Sequence, residues 1–264
     1  MLTDTIDEEI QNWMIKEANE RGAEGALVGL SGGVDSAVVA GLIKKAFGDN
    51  SLGILLPSKH TAGKDVEYAQ LTAKTFDLET ITINIKDQYD TIYNTLKNVD
   101  IEGTKRKYYP QTKVPGKDIP KQNIQTRLRM LNLYYVADKK NYLVMGTSNQ
   151  SEIITGYYTL YGDGGTDLRP LGELSKTEVW ELAEKIGIPQ EIIDRPPTGG
   201  VRAEDDDKDE VEIGISYQKL DKIYNEIQND GNLDQFNPEK VKRVKEVTAA
   251  AKDKNNVPVF SVSN

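Results

Sequence analysis

The chain has no cysteine and a single histidine, His60, among its 264 residues. That absence excludes disulfides, thiolate nucleophiles and zinc sites built from cysteine or histidine. A metal here has to be a hard cation on oxygen ligands, and Mg2+ is the natural partner of phosphates. His60 itself reads as a surface-loop residue rather than a catalyst. Basic charge is also in deficit. A net charge of −9 gives no support to nucleic-acid binding. No apolar run approaches the roughly 18 residues of a membrane span. The stretch Met1–Glu8 is acidic and lacks the basic-then-apolar plan of a signal peptide. The expectation is a cytoplasmic protein, with neither nucleic acid nor membrane among its partners.

What is present centres on Leu27-Val28-Gly29-Leu30-Ser31-Gly32-Gly33-Val34-Asp35-Ser36. An apolar strand-like run enters a serine and glycine turn, which opens at once into an apolar helix. Main-chain N–H groups at such a turn form an anion site. Gly32 and Gly33 let backbone approach a phosphate, Ser31 and Ser36 add hydroxyl donors, and Asp35 supplies a carboxylate for a hard cation. No Gly-Lys-Ser/Thr closes the segment, and no Gly-x-Gly-x-x-Gly runs through it, so the two commonest nucleotide loops are excluded.

Thr5-Ile6-Asp7-Glu8 has the form of a capping box, and a helix follows to about Asn19. Strands are expected at about Gly25–Leu30, Leu52–Leu56, Glu79–Ile85 and Tyr142–Met145. Helices are expected over Asp35–Phe47, Asp65–Phe76, Tyr89–Leu96 and Lys121–Lys139. A second capping box at Ser175 opens a helix that Gly187 ends. Helices over Tyr217–Ile227 and Pro238–Ala251 close the pattern. Strands alternating with helices predict an α/β fold, a Rossmann-like doubly wound parallel sheet that binds ligands outside the carboxyl ends of its strands. Residues 1–264 are expected to form one domain. Residues 100–120 carry three prolines and two glycines and predict a mobile loop. So do residues 199–212, where Glu204–Glu212 holds seven acids and one lysine.

Four further stretches narrow the chemistry: Asn123-Ile124-Gln125-Thr126-Arg127-Leu128-Arg129-Met130, Gly146-Thr147-Ser148-Asn149-Gln150-Ser151-Glu152, Tyr161-Gly162-Asp163-Gly164-Gly165-Thr166-Asp167 and Arg195-Pro196-Pro197-Thr198. The Ser31 turn resembles the pyrophosphate loop of the N-type ATP pyrophosphatases. With the later motifs in this order, the chain resembles the ammonia-dependent NAD synthetases from near residue 5 to about residue 225. That resemblance implies ATP-dependent amidation of deamido-NAD with ammonia, through an acyl-adenylate, giving NAD, AMP and pyrophosphate. It implies that Gly29, Leu30, Ser31, Gly32, Gly33, Val34, Asp35 and Ser36 cradle the ATP phosphates, and that Asp35 and Glu152 ligate Mg2+. It further implies that Thr147, Lys176 and Thr198 contact ATP and that Arg127 and Asp167 contact deamido-NAD. Asp35 and Lys176 then carry the catalytic roles. The family forms homodimers, and Lys121–Lys139, rich in Leu and Tyr, is the candidate contact. With no cysteine for a glutaminase, nitrogen arrives as free ammonia or from a partner. Asp35→Ala is expected to abolish turnover and leave the fold largely intact.

Two departures fall in the substrate half. Leu160 stands where many relatives carry a lysine. Ala251-Lys252-Asp253-Lys254-Asn255-Asn256-Val257-Pro258 replaces a His-Lys pair before Pro-Pro. Either Lys252 or Lys254 supplies the missing charge, or the chain amidates another carboxylate. A non-catalytic nucleotide-binding regulator is the alternative outside enzymology.

Overall fold

The computed structural model describes residues 2–59, 61–100, 118–197 and 209–254. His60, Thr198 and most of the two expected loops (101–117 and 199–208) lie outside the described residues, as do Asn255–Pro258. Helix α1 (Ile6–Arg21) precedes β1 (Gly25–Gly29), α2 (Val34–Phe47), β2 (Ser51–Leu55), α3 (Gly63–Thr75) and β3 (Thr80–Thr82). There follow α4 (Lys86–Leu96), α5 (Ile119–Lys140), β4 (Tyr142–Met145), α6 (Gln150–Thr155), α7 (Lys176–Ile186) and α8 (Gln190–Ile193). Helices α9 (Asp209–Ile213), α10 (Tyr217–Gln228) and α11 (Pro238–Ala251) come last, with a 3-10 turn at Lys252–Lys254.

The four strands are parallel in the order β3-β2-β1-β4. The near-continuous apolar sequence of β1, β2 and β4 follows from burial on both faces, whereas the short edge strand β3 is exposed. Ala26, Val28, Leu55, Leu143 and Met145 pack towards α1, α2 and α7, in a core that includes Met14, Val38 and Leu182. The alternate residues Leu27, Leu52, Ile54 and Val144 face Tyr89 of α4 and Leu128 and Val136 of α5. A smaller core joins α9, α10 and α11 through Ile213, Tyr217, Leu220 and Val244. Strand order reverses between β1 and β4, and such a switch point opens a crevice at the carboxyl ends of the strands. The register aligns those ends: Gly29 lies opposite Ile54, and Val28 opposite Met145.

Most sequence-derived boundaries stand within two residues of the observed ones. Three expectations need correction. Thr5 forms no side-chain cap on α1, because its hydroxyl donates instead to Glu9 at 2.7 Å. Regular strand β3 covers only Thr80–Thr82. The flanking bonds continue beyond it, with the Ile83 N–H donating to Leu55 and the Ile85 N–H to Pro57. The third correction concerns both loops. Asp118 caps α5, whose first turn contains Pro120, and Asp209–Glu212 are helical.

Candidate functional site

The Ser31 turn leaves β1 where the sheet's backbone pairing ends, and its own serines close it. The Ser31 N–H donates to the Ser36 hydroxyl at 3.3 Å, and the Gly33 N–H donates to the Ser31 hydroxyl at 3.2 Å. The Ser36 hydroxyl donates to the Gly33 carbonyl at 2.9 Å. Gly32 sits at φ +82°, and a Cβ there would run into the backbone of Asp65 on α3. Arg195 locks that contact. Its guanidinium pairs with Asp65, donates to the Gly32 carbonyl at 3.2 Å and lies 5.5 Å from the Tyr68 ring centre. The Arg195 motif thus clamps the turn, a role the sequence did not announce. Gly32→Ala is expected to cost about 2 kcal/mol or more from backbone strain and overlap. That corresponds to a drop of about 4–8 °C in Tm, measurable by thermal denaturation followed by circular dichroism.

Asp35, in the first turn of α2, is brought to Lys176 across 141 residues of sequence. The Ser175–Glu178 capping box forms as expected, with the Ser175 N–H donating to Glu178 at 2.9 Å. It seats Lys176 at the first position of α7, only 1% exposed. The Lys176 ammonium pairs with Asp35, lies 3.9 Å from Glu152, and stands 5.6 Å from the Tyr217 ring centre. Buried Asn149 holds the two acids in place. Its amide donates to Asp35 at 2.9 Å, while its side-chain oxygen accepts the Glu152 N–H at 3.0 Å. Burial works against the charge of Lys176, but Asp35 and Glu152 outweigh it and raise its pKa. Glu152 is pushed well above the ordinary carboxylate range, first by burial and then by Asp35. Two carboxylates crowded around one cation, all donors being oxygen, fit a second, hard cation when phosphates supply further ligands.

The acidic run contributes residues that the sequence assigned to solvent. Asp209 and Glu212 are buried and line the cavity. The Tyr217 hydroxyl donates to one Asp209 oxygen at 3.3 Å, and the other has no hydrogen-bond partner among the described residues. Burial pushes the Asp209 pKa up to about 6, with Lys176 opposing. Charge runs alone cannot tell which acids turn inward; the only signal was the nearby Tyr217.

The cavity itself measures about 420 Å³ and lies outside the ends of β1, β2 and β4. Gly29, Leu30, Ser31, Asp35, Ser36, Thr147, Glu152 and Arg127 all reach its wall, whereas Gly32, Gly33, Val34, Lys176 and Asp167 are not part of it. Arg127 is exposed and donates to the Leu160 carbonyl at 3.3 Å. The Asp167 carboxylate accepts the Val144 N–H at 2.8 Å and the Tyr134 hydroxyl at 3.1 Å. Burial, reinforced by Asp167, pushes the Tyr134 pKa up to about 12. Of the two lysines near the missing charge, Lys254 is the one that reaches the cavity. Its ammonium lines the cavity, donates to Gly156 at 2.6 Å and to the Tyr158 carbonyl, and covers the Tyr158 ring at 4.4 Å. Lys252 is exposed and not part of the wall.

The family described as NAD synthase matches residues 6–258. An NH(3)-dependent NAD(+) synthetase of Carboxydothermus hydrogenoformans is 43% identical over 214 residues, covering 81% of this chain and 82% of the relative. Among solved structures, the NMN synthetase of Francisella tularensis superposes with a TM-score of 0.84 at 28% identity, covering 99% of both chains. The NH3-dependent NAD synthetase of Campylobacter jejuni, in complex with the nitrate ion, gives 0.80 at 26% identity, covering 99% of this chain and 100% of that one.

Proposed function

We infer the reaction from one premise: the chain belongs to the NAD synthase family. From it we propose that the protein, acting as a single unit, amidates deamido-NAD with ammonia while ATP is split to AMP and pyrophosphate. The observation that carries this reading is the convergence of Asp35, Glu152 and Lys176 beneath the Ser31 turn, at the head of a cavity whose far wall bears cations.

A carboxylate is a poor electrophile. In the proposed sequence its oxygen attacks the α-phosphorus of ATP, and the bond to the pyrophosphate leaving group breaks. Ammonia then attacks the acyl-adenylate carbonyl, AMP leaves, and one proton is released. Such transfers need placement and charge neutralisation more than a covalent nucleophile. The Ser31 turn supplies main-chain and hydroxyl donors to the departing phosphates. Lys176, held charged by its two acids, supplies a fixed positive field beneath them. Thr147 and Thr198 are assigned to ATP, and Arg127 and Lys254 to the acid; Asp167, engaged by Val144 and Tyr134, is assigned to holding the adjoining wall. Mg2+, held by Asp35 and Glu152, would neutralise phosphate charge when bound.

The chain is expected to form NAD when incubated with ATP, Mg2+, ammonium and deamido-NAD. No product above a boiled control overturns the reading. A parallel arm with nicotinate mononucleotide tests the alternative carboxylate suggested by the Francisella neighbour's name and by Leu160. Pyrophosphate release with either acid eliminates a silent regulator. We further propose a cytoplasmic homodimer that uses the α4–α5 face. Ile92 and Leu96, and likewise Leu131 and Tyr135, lie one turn apart and exposed there. Light scattering behind size exclusion gives the mass directly.

Lys254 yields a pH expectation. Burial lowers its pKa to about 8, with Asp163 opposing. As pH rises through about 8 the ammonium loses its charge, so the KM for the acid should rise. Lys254→Met should have a raised KM at pH 7 and lose that dependence. Folding responds with the opposite sign. The folded state binds fewer protons than the unfolded chain between about 8 and the ordinary 10.5, so this group's contribution to stability improves as pH rises across that window.

A further inference from the structure

Two residues after Arg127, the same helix carries a second arginine with a different environment. Arg127 is exposed at the cavity mouth, while Arg129 is partly buried deeper in the wall. The Arg129 Nε donates to the Leu56 carbonyl just past the end of β2, at 3.3 Å. That bond fixes the plane of the guanidinium. No carboxylate lies within ion-pairing distance of it among the described residues. The two nearest acids are already engaged: Asp65 by Arg195 and the Ala62 N–H at 3.2 Å, and Asp163 by the Thr159 N–H at 2.6 Å. Burial lowers the Arg129 pKa from its ordinary value, and Asp163 and Asp65 restore part of the shift.

A guanidinium ordinarily carries its charge out to water along an apolar stem. Here the fold holds the charge in the cavity wall, partly withdrawn from water, where a cation without a carboxylate partner is costly, and fixes only one of its donors. The remaining N–H groups form a planar fork suited to two oxygens of one oxyanion. We propose that Arg129 is a substrate-binding residue that takes a nucleotide phosphate oxyanion in the loaded site. This role rests on the reaction proposed above. The phosphate comes either from ATP or from the nicotinate nucleotide, and the two sources are separable by experiment.

The test is calorimetric binding of α,β-methylene ATP and of deamido-NAD, each alone, to wild-type, Arg129→Met and Arg129→Lys proteins, with NAD formation by the wild type measured alongside. Arg129→Met should weaken one ligand about 10- to 100-fold and leave the other within about twofold. Loss confined to the ATP analogue assigns the ATP phosphate, and loss confined to deamido-NAD assigns the acid's. Arg129→Lys, which keeps charge but not the fork, should recover only part of the affinity and reads the role if the Met variant fails to fold. Without ligand, Arg129→Met should melt within a few degrees of the wild type, since the lost bond to Leu56 is offset by removing a partly buried cation that has no carboxylate partner among the described residues. Unchanged affinity for both ligands, or equal losses together with a lowered Tm, overturns the role. A wild type that forms NAD beside an unaffected variant overturns Arg129 alone, whereas a wild type that binds neither probe overturns the reaction with it.

Discussion

Asp35→Asn is expected to lower turnover by about 10³-fold, the scale on which an electrostatic group at a reacting phosphate acts. Asparagine keeps the shape of the side chain and one acceptor for the Asn149 amide, which now reaches Asp35 at 2.9 Å. It removes the negative charge that pairs with Lys176 and that would hold a divalent ion. The sequence alone suggested a residue that serves ligand rather than fold, so that its loss would leave stability largely intact. The structure changes that expectation. Lys176 is only 1% exposed, and after the substitution its nearest anion is Glu152, 3.9 Å away. Breaking one side of a buried ion pair costs about 3 kcal/mol, or about 6–12 °C in Tm for a chain of this size. Pyrophosphate release at saturating substrates and a thermal melt of the same preparation measure the two losses separately. A rate within tenfold of wild type removes Asp35 from the metal and phosphate site.

That revision marks where sequence reading reaches its limit. The β1–turn–α2 unit is legible because its causes are local: strand residues buried on both faces are apolar without interruption, and the turn needs glycine at φ +82°. The Ser175 box and the Gly187 stop are legible for the same reason. What a side chain meets across the fold is not. Thr5 has the right spacing for a cap, yet Glu9 offers its hydroxyl a better acceptor. Asp209 and Glu212 belong to a run of acids that composition assigns to solvent, yet both are buried, Asp209 against the hydroxyls of Tyr157 and Tyr217. Arg127 and Arg129 stand two positions apart on α5 and so face different sides of the helix, and only the second reaches the Leu56 carbonyl past the end of β2. Asp167 sits in a motif that implies substrate contact, but its carboxylate is committed to Val144 and Tyr134 and is not part of the cavity wall.

Lys176→Met tests the other half of the same network. The methionine fills similar volume and takes no part in charge, so Asp35, Glu152 and Asp209 face one another with no protein cation between them. Glu152 and Asp209 already have raised pKa values, the mark of acids that burial and mutual repulsion disfavour when ionised. Losing the ammonium should therefore cost about 3–5 kcal/mol of stability and reduce turnover by about 10²–10³-fold. A divalent cation should offset part of the first loss, because it places positive charge where Nζ had been. Added Mg2+ is expected to raise the Tm of Lys176→Met by more than it raises that of the wild type. Turnover should stay low in both conditions, since a metal ion between the acids does not reproduce an ammonium seated beneath the phosphates. Equal Mg2+ shifts in the two proteins would mean that Lys176 is a structural counter-ion remote from any metal position. Wild-type turnover in Lys176→Met would remove it from the reaction altogether.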